Sequence, residues 1–399
     1  MLVKDASWEC CLVFPLRLLR EPDSYRWSEA PFMTEKMSIP LIKVYMDEDI
    51  KNAVLEVLDS GWYILHEKVK EFERKFAQFC AVKHAVCVAS GTAAIFLTLK
   101  ALNIKQGDEV IIPSYSFIAT ATPIMEVGAK PVFVDIDART YTIDSEKIKA
   151  VVTKRTRAIM PVHLYGHPAN MDPILEIAKE NNLYVIEDAC QAHGAEYKKR
   201  RVGGIGHAAC FSFYPSKNMT VCGDGGAVVT NDEEIAEKVR KLRDHGRLDK
   251  YVFDLKGYNL RFNEIQAAIG IKQLEKLPKW NEARRNIAGM YNQALEGLVA
   301  TPVEEPWAKH VYHLYVIRTK KRDELKEFLS RHGISTLVHY PVPIHMQPAI
   351  TSILGTQQSL KNTEKFAKEV LSIPMYPGLT KHEVKYVSDK ITEFFEGCK

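Results

Sequence analysis

The chain has 399 residues, 46% hydrophobic and 26% charged, enough to build a large core without disulfide or metal staples. Its net charge of +4 offers no footprint for nucleic acid, and no apolar run reaches the length of a membrane span. Eight cysteines are scattered with no C-x-x-C pair and no zinc-ligand spacing, so they read as reduced thiols of a cytoplasmic protein with no metal site.

Residues 1–37 show no clean periodicity and no secretory cleavage signal, and are expected to be an extension ahead of a folded chain that starts near Ser38. Lys51–Leu58 and Lys68–Cys80 carry apolar residues at helical spacing. Residues 84–90 (HAVCVAS) form a short buried strand, followed at once by the helix TAAIFLTLKAL. Further strands are expected at 109–113, 131–136, 158–164, 184–189, 209–214 and 226–230, with helices over 171–181 and 232–244. Apolar runs without polar alternation, separated by helices, predict an α/β fold. Its core is a large αβα sandwich around a mixed, mostly parallel sheet. The short link between the last two strands makes that part antiparallel. A helical region from Asn263 to Leu295 is interrupted at Pro278. Beyond it, apolar runs at 313–318 and 334–339 and helices at 321–331, near 361–371 and at 381–396 suggest a smaller α+β unit. The expected division is 1–37, a large domain over 38–285 and a small C-terminal domain over 286–399.

Three features of the large domain carry chemistry. Ser90-Gly91-Thr92 stands where a strand turns into a helix, where free N–H groups and the helix dipole suit a phosphate. Alone, it is no more than a helix cap. Glu187-Asp188 ends the buried strand YVIED, which brings a carboxylate to the crevice where α/β sheets bind ligands. Such a carboxylate needs a cationic partner, and a protonated pyridine nitrogen would serve. Gln191 follows closely. Lys217, in SFYPSKN, is flanked by Phe211, Phe213, Tyr214, Pro215 and Met219, and desolvation there would make its amine a nucleophile toward an aldehyde. Phosphate cup, carboxylate and Schiff-base lysine together describe a site for pyridoxal 5′-phosphate.

From Ser38 onward the sequence resembles the DegT/StrS family of nucleotide-sugar aminotransferases. The resemblance rests on SGTAAIFLTLKAL, GDEVIIPSYSFIATATPI, PVHLYGHPANMDPI, EDACQAHGA, SFYPSKN, GDGGAVVTND, GYNLRFNEIQAAIG and HYPVPIHMQPA. It implies the type I pyridoxal-phosphate fold of aspartate aminotransferase. It implies Lys217 as Schiff-base lysine and acid–base, Asp188 on the pyridine nitrogen, Gln191 at the ring hydroxyl and Phe117 stacked on the ring. Gly91, Thr92 and Ser212 would bind the phosphate. Asn259 would reach the phosphate of a neighbouring subunit, which makes the protein a homodimer with shared active sites. The resemblance is closest to the dTDP-3-keto-6-deoxyhexose 3-aminotransferases, with Tyr214 where enzymes acting at C4 more often carry His, and with His66 where the group usually carries Gly. His163, Tyr214, His339 and His345 are candidates for contacting the sugar nucleotide, and glutamate is the implied amino donor. A UDP-2-acetamido-3-keto-hexuronate 3-aminotransferase is an alternative, with Arg247 or Arg261 available for the extra carboxylate. A non-catalytic regulator of the same fold is another.

Overall fold

A computed structural model describes residues 38–397; the expectation for residues 1–37 lies outside them. In chain order come α1 (Glu48–Ser60), α2 (Glu67–Cys80), β1 (His84–Val88), α3 (Gly91–Ala101), β2 (Glu109–Pro113), α4 (Thr122–Glu126) and β3 (Lys130–Val134). Next are β4 (Thr156–Ile159), α5 (Met171–Glu180), β5 (Tyr184–Asp188), the short pair β6 (Glu196–Tyr197) and β7 (Arg200–Arg201), β8 (Ala208–Ser212) and β9 (Gly226–Thr230). Then follow α6 (Glu233–Arg243), the ribbon β10 (Arg247–Asp249) and β11 (Val252–Phe253), and the long α7 (Glu264–Ala294). The last part holds β12 (Ala308–Lys309), β13 (Tyr315–Arg318), α8 (Arg322–Arg331), α9 (Pro348–Leu354), α10 (Lys361–Glu369), β14 (Val370–Ile373) and α11 (Lys381–Glu396).

Seven strands form the central sheet in the order β1-β9-β8-β5-β4-β2-β3. Pairings from β8 through β5, β4 and β2 to β3 are parallel; β9 is antiparallel to both β8 and β1. Side chains alternate between two cores because successive strand residues point to opposite faces. Cys87, Ile111, Val185, Phe211 and Val229 meet α2, α5 and the first half of α7 on one face. Val86, Ile112, Ile186, Cys210 and Val228 meet α3, α4 and α6 on the other. This is the expected αβα sandwich. A third core gathers the second half of α7 with β13, β14, α8 and α11, and takes in Ile39 from the start of the described chain. The expected boundary at residue 285 therefore falls inside α7, which serves two cores.

Three local expectations differ from what the chain does. Pro278 does not interrupt α7; Leu277, Asn281 and Arg284 are buried on either side, and that packing offsets the lost backbone bond. The run 158–164 is strand only to Ile159. Pro161 has no N–H for the ladder, and the chain turns so that His163 N–H donates to Asp188 C=O at 3.0 Å. Residues 334–339 make only isolated bridges, Ile39 to Ile334 and Leu337 to Ser372. The partner of β13 is β14, four buried residues at the end of the stretch expected to be helical to 371.

Candidate active site

β1, β2, β5 and β8 all point their carboxyl ends toward one edge of the sheet, where α/β proteins bind ligands. β9 runs the other way and starts at that edge, so the segment between β8 and β9 loops out and returns beside its origin. The loops enclose a cavity of about 440 Å³.

Its wall begins at the amino end of α3. Ser90 caps this helix by accepting from Ala93 N–H at 3.0 Å. The helix start leaves the N–H groups of Gly91 and Thr92 without intrahelical acceptors. Only glycine fits at 91, because a Cβ there would lie 2.7 Å from Ser212 Cβ and 2.9 Å from Cys190 Sγ. Gly91, Thr92 and Ser212 thus share one corner of the cavity.

Asp188 closes β5 and is 4% exposed. Its Oδ2 accepts from Thr120 Oγ1 at 2.8 Å, and its Oδ1 from Cys190 N–H at 3.3 Å. No cationic side chain among the described residues lies within ion-pairing distance of it. Gln191, three residues on, accepts from Tyr165 N–H at 2.9 Å and donates to Tyr340 Oη at 3.1 Å. Phe117 lies across the cavity, 55% exposed although it is a large apolar ring.

Lys217 sits in the loop between β8 and β9, its N–H donating to Tyr214 C=O at 2.9 Å. Burial holds its amine below the usual lysine value, against the opposing pull of Cys190 and Asp188. Tyr214, half exposed, lines the same cavity. His339 lines it too, with Nδ1 at 2.8 Å from Ser372 Oγ. Burial, and then the nearby Lys217 charge, push His339 down to about 4.

Two residues expected to contact the sugar nucleotide do not line this cavity. His163 is fully buried; its Nδ1 accepts from Ala169 N–H at 2.9 Å, which leaves Nε2–H to donate to Glu187 at 3.0 Å. Glu187 also accepts from the N–H groups of Gly203, Ile205 and Gly206. Burial raises the Glu187 pKa and these bonds lower it, for a net shift downward. His345 is buried between Ser114 Oγ at 2.6 Å and Glu364 Oε1 at 3.4 Å. Asn259 is exposed, on the far side of a bridge to Asp244. Arg247 and Arg261 both reach Asp244, at 3.1 and 3.0 Å, and neither lines the cavity.

The cavity also draws on Ser116, Thr120, His313 and Tyr340, which sequence reasoning did not single out. Ser116 and Thr120 stand in the quoted motif PSYSFIAT, one residue before Phe117 and three after it, so a helical-turn reading of that motif would have found them. Tyr340 and His313 come from the third part of the chain. Tyr340 is fixed by its N–H to Tyr115 Oη at 3.0 Å, and His339 C=O accepts from Tyr115 at 3.1 Å and from Tyr165.

The residues fit pyridoxal phosphate. The helix start and the Ser212 hydroxyl offer donors to a phosphate at one end of the cavity. A buried carboxylate with no cation of its own suits a protonated ring nitrogen, and a desolvated amine suits an aldehyde.

The DegT/DnrJ/EryC1/StrS aminotransferase family profile matches residues 44–392. A pleiotropic regulatory protein of Geobacillus stearothermophilus is 45% identical over 368 residues, covering 90% of this chain and 99% of that one. The dTDP-3-amino-3,4,6-trideoxy-alpha-D-glucose transaminase of Streptomyces venezuelae is 43% identical over 368 residues, covering 92% and 96%. Among solved structures, S. venezuelae DesV superposes with a TM-score of 0.85 at 44% identity, over 87% of this chain and 94% of that one. NtdA from Bacillus subtilis with bound cofactor PMP gives 0.84 at 32% identity, over 90% and 85%.

Proposed function

Because this chain belongs to the DegT/DnrJ/EryC1/StrS aminotransferase family, it is a pyridoxal-phosphate aminotransferase, and we propose that it aminates a nucleotide-linked 3-keto-6-deoxyhexose at C3. The nucleotide in this reading is dTDP and the amino donor is glutamate. The identity to a dTDP-amino-sugar transaminase supports the sugar class. Arg247 and Arg261 are both engaged with Asp244, which weighs against a hexuronate needing a free cation.

Pyridoxal phosphate, when bound, supplies an aldehyde carbon that carries the amino group from donor to sugar and a ring that takes up negative charge. The N–H groups of Gly91 and Thr92, with the Ser212 hydroxyl, would hold the phosphate. Asp188 would hold a proton on the ring nitrogen, Gln191 would serve the ring hydroxyl, and Phe117 would pack against the ring. Lys217 would hold the cofactor through its Nζ and, as a neutral amine, would move the proton between the reacting carbons. Tyr214 and His339 line the space left for the sugar nucleotide. Asn259, exposed and outside the cavity of its own chain, serves a second copy in a homodimer. Its setting is the cytoplasm, in keeping with five free cysteines among the described residues.

The observation that carries this reading is the convergence of Lys217, Asp188 and the amino end of α3 on one cavity. The test is to incubate the protein and pyridoxal phosphate with glutamate and a dTDP-linked 3-keto-6-deoxyhexose, and to follow both products by mass spectrometry. Equal amounts of 2-oxoglutarate and 3-amino sugar are expected. Turnover of UDP-linked 3-keto sugars alone would overturn the substrate, and turnover with another amine alone would overturn the donor.

A further inference from the structure

The buried hydroxyls of Ser116 and Thr120 take part in no step above, yet both point along a line that ends on Asp188. Thr120 is 2% exposed and Ser116 3%. Thr120 Oγ1 lies 2.8 Å from Asp188 Oδ2, and Ser116 Oγ lies 2.9 Å from Thr120 Oγ1. A carboxylate only accepts, so the single Thr120 proton goes to Asp188. Ser116 must then be the donor to Thr120. The bonds form a chain with one direction, Ser116 to Thr120 to Asp188, in which each link strengthens the next.

The chain is built into a tight turn. Residues Ile118–Thr120 form a single 3₁₀ turn, closed by Thr120 N–H donating to Phe117 C=O at 3.0 Å and Ala121 N–H donating to Ile118 C=O at 2.9 Å. The turn that presents the Phe117 ring to the cavity therefore also sends Thr120 back to the strand end. Among the described residues Asp188 has one further hydrogen-bond donor, Cys190 N–H at 3.3 Å on the other oxygen.

We propose that Thr120, backed by Ser116, is a positioning residue that sets which way the Asp188 carboxylate points, and so couples the carboxylate to the Phe117 wall of the cavity. The inference rests on the reading of Asp188 as partner of the ring nitrogen. Loss of the Thr120 hydroxyl removes the side-chain donor to Asp188 Oδ2 and leaves Cys190 N–H as the remaining protein donor to this carboxylate among the described residues. Valine has the shape of threonine without the hydroxyl, and serine keeps the hydroxyl without the methyl group.

Two properties of the holoenzyme read the effect without turnover. One is release of pyridoxal phosphate in equilibrium dialysis; the other is the pH at which its visible absorbance changes. Thr120→Val is expected to weaken cofactor retention by about tenfold, the order of one lost hydrogen bond to a charged group. It should also move the absorbance midpoint in the direction that Asp188→Asn moves it. Thr120→Ser should restore both, and Ser116→Ala should give a smaller change of the same sign. A purely structural role for Thr120 would change melting temperature and leave the midpoint alone. If Asp188→Asn changes both properties while Thr120→Val and Ser116→Ala match the wild type, this inference is overturned and the role of Asp188 stands. If Asp188→Asn itself matches the wild type, the role of Asp188 falls and the inference with it. Should the valine variant not fold, Ser116→Ala cuts the same chain one link further back and is read by the same two measurements.

Discussion

In the mechanism proposed for Lys217, desolvation sets the pH at which its amine can move a proton. Its amine sits below the usual lysine value, so its neutral form is reached at lower pH than for an exposed lysine. Turnover should therefore rise with pH through that value and level off. Lys217→Ala should fold and lose turnover by about 10³-fold or more, measured by 2-oxoglutarate release. Three histidines with lowered values, His167 and His193 buried and His339 half-buried, act on stability. Burial pushes His167 to about 4, His193 to about 3 and His339 to about 4 from an ordinary 6.5. A base with a lowered folded value binds protons in the unfolded chain first. Stability is then whole above about 6.5 and declines as pH falls toward 4. Each group adds a slope of up to about 1.4 kcal/mol per pH unit in that window. Melting temperatures between pH 7.5 and 4.5 should show the decline, and His193→Phe should flatten part of it. Asp188 and Lys217 are legible in the sequence because their surroundings there are odd, a carboxylate ending a buried strand and a lysine among aromatics. His163 is not, since a histidine at a strand end reads alike whether it faces a ligand or, as here, spends both nitrogens on Glu187 and Ala169.

At the scale of elements, close backbone approach is what shapes the corner by α3. A Cβ on Gly226 would lie 2.4 Å from the Ser90 carbonyl carbon and oxygen, which are main chain and cannot step aside. Gly226→Ala should drive β9 from the start of α3, costing about 1–3 kcal/mol in denaturant unfolding and weakening cofactor retention. Gly289 in α7 has nothing within 4 Å of a built Cβ. Gly289→Ala should raise stability by about 1 kcal/mol through helix propensity alone, and leave the cofactor untouched. The sandwich strands and most helices follow directly from the apolar pattern, because runs such as EVIIP and GAVVT have only one way to be buried. What the pattern hides is decided at long range. Residues 334–339 and 370–373 each carry three large aliphatic side chains, and β13 pairs with the second because α10 ends at Glu369 and delivers it. Pro278 stays within α7 because burial on both sides outweighs a missing N–H.

For the whole molecule, the ribbon β10–β11 leaves Leu248, Tyr251, Val252 and Phe253 exposed close in sequence to Asn259. That apolar surface fits the homodimer proposed above. Phe253→Asp is expected to shift sedimentation equilibrium toward monomer and to lower turnover, although Phe253 does not line the active-site cavity of its own chain. Tyr340 shows why the site is only partly readable: it meets Gln191 across 149 residues of sequence. The cavity is thereby made by two separate stretches of chain. Its floor, with Gly91, Asp188, Gln191 and Lys217, comes from the sheet edge; His313, His339 and Tyr340 arrive from beyond α7. The two meet where Gln191 donates to Tyr340 and where Tyr115 holds Tyr340 and His339, so an exchange in the late segment would be felt at the sheet edge as well.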